Sequence, residues 1–239
     1  MKIALFIIAT GSYIKYTYPL IESINKYFLT NHKVDIFLFT DSKEVPHGTT
    51  KIYMKHKPFP YPTLMRYSVI HENRRFYEDY DCYFYCDADM LFVDRVGDEA
   101  LGELVGVRHP GFYNQKRLCF PYESETISTA YIKRGDGIFY YAGGFNGGRK
   151  YLEMANMIRY MVEIDQYKGH VPVWHDESYL NRYFLSYPPD VILDPSYCYP
   201  EWSEHISKWS LKDLSPKLIA LDKINIKDNE RVTLSRTGK

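Results

Sequence analysis

The chain has 239 residues, with 30 Lys and Arg set against 30 Asp and Glu, a length that fits one large domain. Zero formal charge argues against a duplex nucleic-acid binder, which needs surplus cations to neutralise phosphates. A content of 45% hydrophobic and 25% charged residues excludes a disordered chain.

Ile3 to Ala9 is an uninterrupted apolar run, the pattern of a strand covered on both faces. It is too short to cross a bilayer or serve as a secretory signal core, and no small-residue cleavage site follows it. Leu20, Ile24, Tyr27 and Phe28 then fall at helical spacing, with Glu22 and Lys26 an i,i+4 pair. Val34 to Thr40 completes a strand, helix, strand unit. Helical spacing returns around Leu64 to Phe76, and the strand Tyr83-Phe-Tyr-Cys86 ends abruptly in Asp87-Ala-Asp89. The carboxyl end of a buried strand is where open α/β sheets hold their ligands.

The middle third changes character. Residues 109–128 read as loops, followed by a short strand near Ile138 to Tyr141 and a glycine-rich turn over Ala142 to Gly148. Tyr151, Met154, Ala155, Ile158, Met161 and Val162 predict one helix, and Tyr179, Leu180, Tyr183 and Phe184 another. Beyond Pro195 the pattern weakens, and Asp222 to Lys239 reads as a basic, turn-rich, mobile tail, leaving residues 1–221 as one catalytic-sized domain. No internal repeat is present. Aromatics are abundant at 17%, with 24 Tyr, and such rings with polar tips suit both a core and sugar or nucleotide pockets. Cys82, Cys86, Cys119 and Cys198 are scattered without metal-knuckle spacing and are expected to be reduced thiols of a cytoplasmic protein.

Asp87 and Asp89 can approach one hard cation if the chain turns there, and carboxylate oxygens suit Mn²⁺ or Mg²⁺, which bridge nucleotide phosphates. A solvated turn is the competing reading. Trp174-His-Asp-Glu-Ser178 immediately precedes an amphipathic helix. There Asp176 serves as an N-cap and Glu177 as a first-turn acid, or else Glu177 stays ionised to act on a sugar carbon. The glycines at 143, 144, 147 and 148 lack the Walker and dinucleotide patterns.

Taken together, the ordered pieces Phe39-Thr-Asp41 with Val45-Pro46, Asp87-Ala-Asp89, His109-Pro-Gly-Phe-Tyr113, Ser128-Thr-Ala-Tyr-Ile132, Tyr140-Tyr-Ala-Gly-Gly144, Gly147-Gly148 and Trp174-His-Asp-Glu-Ser178 with Leu180-Asn181 resemble the family-6 glycosyltransferases. That family includes the blood-group A and B transferases and the α-1,3-galactosyltransferases. The resemblance implies an α/β fold of GT-A type, a Rossmann-like mixed sheet flanked by helices. It implies a retaining transfer of GalNAc or Gal from a UDP-sugar donor to a galactosyl glycan acceptor, fucosylated or not, through an α-1,3 linkage. It gives Asp87 and Asp89 to the metal, expected to be Mn²⁺ with Mg²⁺ as the alternative, and to the donor diphosphate. Ile8, Thr10 and Tyr13 fall to the uridine, and Arg66 and Asp176 to donor-sugar hydroxyls. Lys223 and Arg231 are donor-binding residues of the tail. Glu177 faces the anomeric carbon, and His109, Thr129, Trp174, His175 and Glu201 serve the acceptor. Ala142, Gly143 and Gly144 border the donor sugar, and the small residues at 142 and 144 leave room for an acetamido group, which favours GalNAc. The resemblance begins at the family's catalytic domain, so the chain is read as a soluble microbial or viral member without an anchor.

Two rivals carry other expectations. One is a noncatalytic sugar-nucleotide or glycan-binding relative. The other is a phosphatase with Asp87 as nucleophile and Asp89 as acid, which leaves Trp174 to Ser178 unexplained.

Overall fold

The apolar first strand shows how the sheet is built. In β1 (Lys2–Ile8), Ile3, Leu5 and Ile7 point to one side and Ala4, Phe6 and Ile8 to the other, and all are buried. The first set packs against Leu20, Ile21 and Ile24 of α1 (Ile14–Tyr27), with Phe28 and Phe92. The second meets Tyr67 and Ile70 of a helix on the opposite face, with Tyr151, Met154 and Ile158. Phe6 lies 4.5 Å from the Tyr77 ring and 5.8 Å from that of Tyr151, so Phe6→Ala would cost about 3–5 kcal/mol.

The structure, a computed structural model, describes residues 1–222. The expected basic tail, Asp222 apart, lies outside these residues, as do Lys223 and Arg231. After β1 and α1 come β2 (Lys33–Thr40), β3 (Thr49–Tyr53), α2 (Tyr61–Leu64), α3 (Arg66–Glu72), β4 (Cys82–Cys86), β5 (Met90–Phe92) and β6 (Val105–Arg108). The second half adds β7 (Tyr141–Gly148), α4 (Tyr151–Tyr167), α5 (His175–Ser186), β8 (Val191–Leu193), β9 (Tyr199–Pro200), α6 (Ser203–Lys208) and β10 (Leu218–Ala220). Seven strands form a mixed sheet in the order β3-β2-β1-β4-β7-β6-β8. The first four run parallel, β7 is antiparallel to both its neighbours, and β8 is parallel to β6. This is the helix-flanked mixed α/β sheet expected of a GT-A type fold. No helix among the described residues is long and apolar enough to cross a membrane.

A second sheet, β5-β10-β9, supports the Asp87–Asp89 turn. β10 pairs antiparallel with β5, which begins directly after Asp89, and Leu221 N donates to Asp89 O at 2.9 Å.

Three expectations need correction. The stretch Ala142 to Gly148 is not a turn but strand β7. Its glycines are demanded by close approach: a Cβ on Gly147 would meet Phe84 at 2.4 Å and the Tyr83 carbonyl at 2.5 Å, and Gly148 has φ +121°. The Leu64 to Phe76 periodicity is broken into α2, α3 and a 3₁₀ turn at Arg74–Phe76, with Met65 at φ −93° and ψ 5° between the first two. The Trp174 to Ser178 motif does not precede a helix but opens one. Trp174 occupies the N-cap position, so Asp176 is not the cap, and Asp176 and Glu177 lie in the first turn.

Candidate active site

β4 and β7 run side by side in opposite directions, which brings the end of one against the start of the other. Asp87 N donates to Gly144 O at 2.8 Å, so Asp87 faces the Gly143–Gly144 segment of β7. From the flank, α5 delivers its first turn to the same segment. Gly143 N donates to Glu177 Oε2 at 2.8 Å. Asn181, one turn further along α5, pins the start of β7: its Oδ1 accepts from Tyr141 N at 2.9 Å, and its Nδ2 donates to Tyr141 O and Glu177 O, each at 2.9 Å.

Arg66, at the start of α3, is the hub. It is 2% exposed. Its Nη1 donates to Gly143 O at 2.6 Å and lies 2.9 Å from Asp176 Oδ2, and its Nη2 donates to Asp87 Oδ1 at 2.8 Å. Its guanidinium rests 3.9 Å from the ring centre of Tyr85, whose hydroxyl donates to Asp87 Oδ1 at 2.7 Å. Burial disfavours the Arg66 charge, but Asp176 and Asp87 outweigh it and raise the pKa further. One guanidinium thus ties together residues from α3, β4, β7 and α5.

The acids around it outnumber it. Burial, opposed by Arg66 and reinforced by Asp87 and Glu177, pushes the Asp176 carboxyl up to about 7. Burial likewise raises Glu177 to about 7, against the Gly143 N–H bond and the neighbouring Tyr140 hydroxyl. Tyr140 is 3% exposed, and its hydroxyl lies beside Glu177 but outside hydrogen-bonding geometry. Asp87, Asp176 and Glu177 thus gather at one cationic side chain, and Asp89 is also buried after β4.

No group of three or more His, Cys, Asp and Glu residues among the described residues could hold a metal alone. The pair Asp87 and Asp89 nevertheless fits a divalent cation of the Mg²⁺ or Mn²⁺ kind, which takes one or two carboxylates and completes its shell from phosphates and water. Asp87 Oδ2 makes no protein hydrogen bond among the described residues, whereas Oδ1 has two donors.

The remaining expected residues fall into three groups. At the end of β1, Ile8 and Thr10 are buried and Tyr13 is exposed, its ring 5.5 Å from that of Tyr16. Thr10 Oγ1 lies 3.1 Å from His56 Nδ1, and Gly11, at φ +59°, donates its N–H to Asp41 Oδ1 at 2.8 Å. A Cβ at Gly11 would meet His56 at 2.9 Å. This turn is therefore shaped by His56 and Asp41, neither of which was expected in the site.

Around Glu177 lie the second group. His109 Nδ1 accepts from Gly111 N at 3.1 Å, and burial lowers the ring pKa to about 4. The imidazole is therefore neutral, and Nε2–H is its remaining donor. Its ring centre is 5.7 Å from that of Tyr140, which connects it to Glu177. Trp174 is 47% exposed, and its carbonyl accepts from Glu177 N at 3.0 Å. His175 has φ +47°, a conformation that costs a non-glycine residue about 1–3 kcal/mol, and its ring meets Phe59 edge-on at 4.9 Å. Ala142 is buried, while Gly144 is partly exposed.

The third group makes its contacts with neighbouring elements, not with the Arg66 cluster. Thr129 donates its N–H to Asp165 Oδ1 at 2.8 Å and its hydroxyl to Met161 O at 3.1 Å, so it ties its loop to α4. Glu201 is exposed beside β10, its Oε2 accepting from Asp222 N at 2.6 Å. His56, Asp41, Tyr85, Tyr140 and Asn181 were given no site role from the sequence, although Asp41, Tyr140 and Asn181 stand in the motif pieces. Asn181 carried a further signal, its i+4 spacing from Glu177.

The chain is similar to known glycosyltransferases. The chain is 37% identical over 224 residues to histo-blood group ABO system transferase 1 of Rattus norvegicus, covering 87% of this chain and 62% of that protein. It is 32% identical over 214 residues to globoside alpha-1,3-N-acetylgalactosaminyltransferase 1 of Canis lupus familiaris, covering 84% and 62%. It is 28% identical over 215 residues to the O-antigen biosynthesis glycosyltransferase WbnI of Escherichia coli, covering 84% and 89%. The chain thus spans under two thirds of the length of the first two. The model of glycosyltransferase family 6 matches residues 1–224, a stretch that contains every group meeting at Arg66, and the chain belongs to that family.

Proposed function

We propose that the chain transfers N-acetylgalactosamine, with galactose as the weaker donor, from its UDP-sugar to a galactosyl acceptor, forming an α-1,3 linkage with retention. The observation that carries this reading is the meeting of Asp87, Asp176 and Glu177 at one buried arginine beside Gly143 and Gly144. The relatives' names, a blood-group transferase and an α-1,3-N-acetylgalactosaminyltransferase, support it.

Asp87 and Asp89 would hold a divalent cation, Mn²⁺ by preference, which when bound neutralises the departing diphosphate. The chain's own residues supply the rest. Ile8, Thr10 and Tyr13 receive the uridine at the end of β1. Asp176, fixed by Arg66, accepts hydrogen bonds from sugar hydroxyls. Gly143 N–H anchors one oxygen of Glu177 and leaves the other for the anomeric carbon. Both retaining routes, double displacement and front-face reaction, make the same demand on Glu177: negative charge beside a carbon that becomes cationic. The neutral His109, through Nε2–H, and Trp174 orient the acceptor. Partly exposed Gly144 leaves volume for the donor's acetamido group, and the four free thiols suit a reducing cytoplasm.

Incubation with UDP-GalNAc or UDP-Gal and a galactoside, fucosylated and plain, tests the reading. The expected outcome is UDP release matched by an α-1,3-linked product, faster from UDP-GalNAc. Binding without turnover would replace it with a noncatalytic role, and release of inorganic phosphate with a phosphatase.

A further inference from the structure

Tyr85 lies on β4 two residues before Asp87 and is 2% exposed, so its surroundings are those of a core residue. Its contacts are not. The ring lies 3.9 Å beneath the Arg66 guanidinium, and the hydroxyl donates to Asp87 Oδ1 at 2.7 Å. Arg66 Nη2 reaches the same oxygen at 2.8 Å. The three residues therefore form a closed set in which each touches the other two.

The consequence is an asymmetric carboxylate. Both donors fall on Oδ1, and Oδ2 has no protein donor among the described residues. Oδ2 is also the atom that would lie 3.1 Å from a Cβ at Gly144, so it is turned across the edge of β7. A carboxylate held by a single donor can still rock about its Cβ–Cγ bond, whereas two donors arriving from different side chains fix its plane.

We propose that Tyr85 is a positioning residue that locks Asp87 so that Oδ2 alone is presented to the donor's cation. This rests on the reading of Asp87 as a metal ligand. Tyr85 touches neither sugar nor diphosphate, and its effect passes through the orientation of Asp87.

Tyr85→Phe is the informative variant, because it keeps the ring under Arg66 and removes one oxygen without leaving a buried donor unpaired. Mn²⁺ binding to the full chain is titrated calorimetrically in the presence of UDP, first for the wild type and then for the variant, and transfer kinetics and melting temperature are recorded for both. The expected result is Mn²⁺ affinity about tenfold weaker in the variant, a raised KM for the UDP-sugar, kcat within about threefold, and a melting temperature within a few degrees. Rescue of the rate by excess Mn²⁺ is expected. Unchanged Mn²⁺ affinity in Tyr85→Phe, with or without a lowered melting temperature, overturns the proposal and leaves Tyr85 a packing residue. A wild type that binds no Mn²⁺ overturns the metal reading itself and this proposal with it, and because the wild type is titrated first the two failures are distinct.

Discussion

Glu177→Gln separates a catalytic carboxylate from a helix-terminal one by two measurements of opposite sign. The amide keeps the side chain's shape and can still accept from Gly143 N–H, the 2.8 Å contact that anchors Glu177. What it removes is a charge buried next to Asp176 and Asp87. The Glu177 carboxyl is raised from 4.5 to about 7, which corresponds to roughly 3 kcal/mol. The sign follows from proton counting. Between pH 4.5 and 7 the folded protein holds a proton that the unfolded chain has released, so this group's contribution to stability falls as pH rises through that window. Gln has no proton to release. The melting temperature of the variant relative to wild type should therefore climb between pH 5 and pH 8, by on the order of 5 °C or more.

Turnover should move the other way. Without negative charge beside the anomeric carbon, kcat should fall by on the order of 10² or more, and the wild-type rate should itself rise with pH through about 7 as Glu177 ionises. A purely helix-terminal Glu would instead lose about 0.3–1 kcal/mol of stability at neutral pH and leave the rate intact. Melting curves and initial rates at four pH values, on both proteins, contain the whole test. A variant that is less stable at every pH and turns over normally would refute the assignment.

Chelation should abolish transfer and added Mn²⁺ restore it, and Asp87→Asn and Asp89→Asn should each raise the KM for UDP-sugar; full activity after exhaustive chelation would remove the cation from the reaction. Gly144→Ala should shift the kcat/KM ratio towards UDP-Gal by about tenfold, the rate equivalent of modest overpacking. Its Cβ would lie 3.1 Å from Asp87 Oδ2, so overall activity should fall as well. Asp165→Asn should cost about 3 kcal/mol, read from a urea midpoint, because that fully buried carboxylate accepts from Ser128, Thr129 and Tyr179. The acceptor KM should rise with it, as the loop carrying Thr129 loosens from α4.

What was legible in the sequence is what a side-chain pattern can express. β1, β2 and β4 announce themselves because both of their faces are buried, and Asp87 and Asp89 because they end an apolar strand. β7 is nearly silent, since glycines have no side chains with which to alternate, and its identity depends on Phe84 and the Tyr83 carbonyl leaving no room for a Cβ at Gly147. Arg66 entered only through the resemblance to the family. The groups that make it the hub come from 21 and 77 residues away, a separation no local pattern encodes. Tyr85 was hidden for the opposite reason: a tyrosine in a buried strand is so ordinary that its hydroxyl's partner was invisible without the turn at Asp87.

The burial of Glu177 explains why such a site tolerates a carboxyl that titrates near neutrality. A solvated glutamate would be ionised at all physiological pH values, but water would screen its field. Sunk beside Tyr140 and Gly143, Glu177 gives up part of its ionisation, and the low local dielectric multiplies its attraction for any positive charge that forms nearby. In the proposed reaction that attraction would be greatest when the sugar carbon is most cationic, so the transition state would gain more than the bound donor does. The raised pKa and the proposed catalytic role are thus two consequences of one desolvation. Arg66 keeps the arrangement from collapsing on itself: with Asp87 and Asp176 each held to a fixed guanidinium nitrogen, the acids cannot separate to relieve their mutual repulsion. On the proposed function, this concentration of acids is what a cation, and then an oxocarbenium-like carbon, would use.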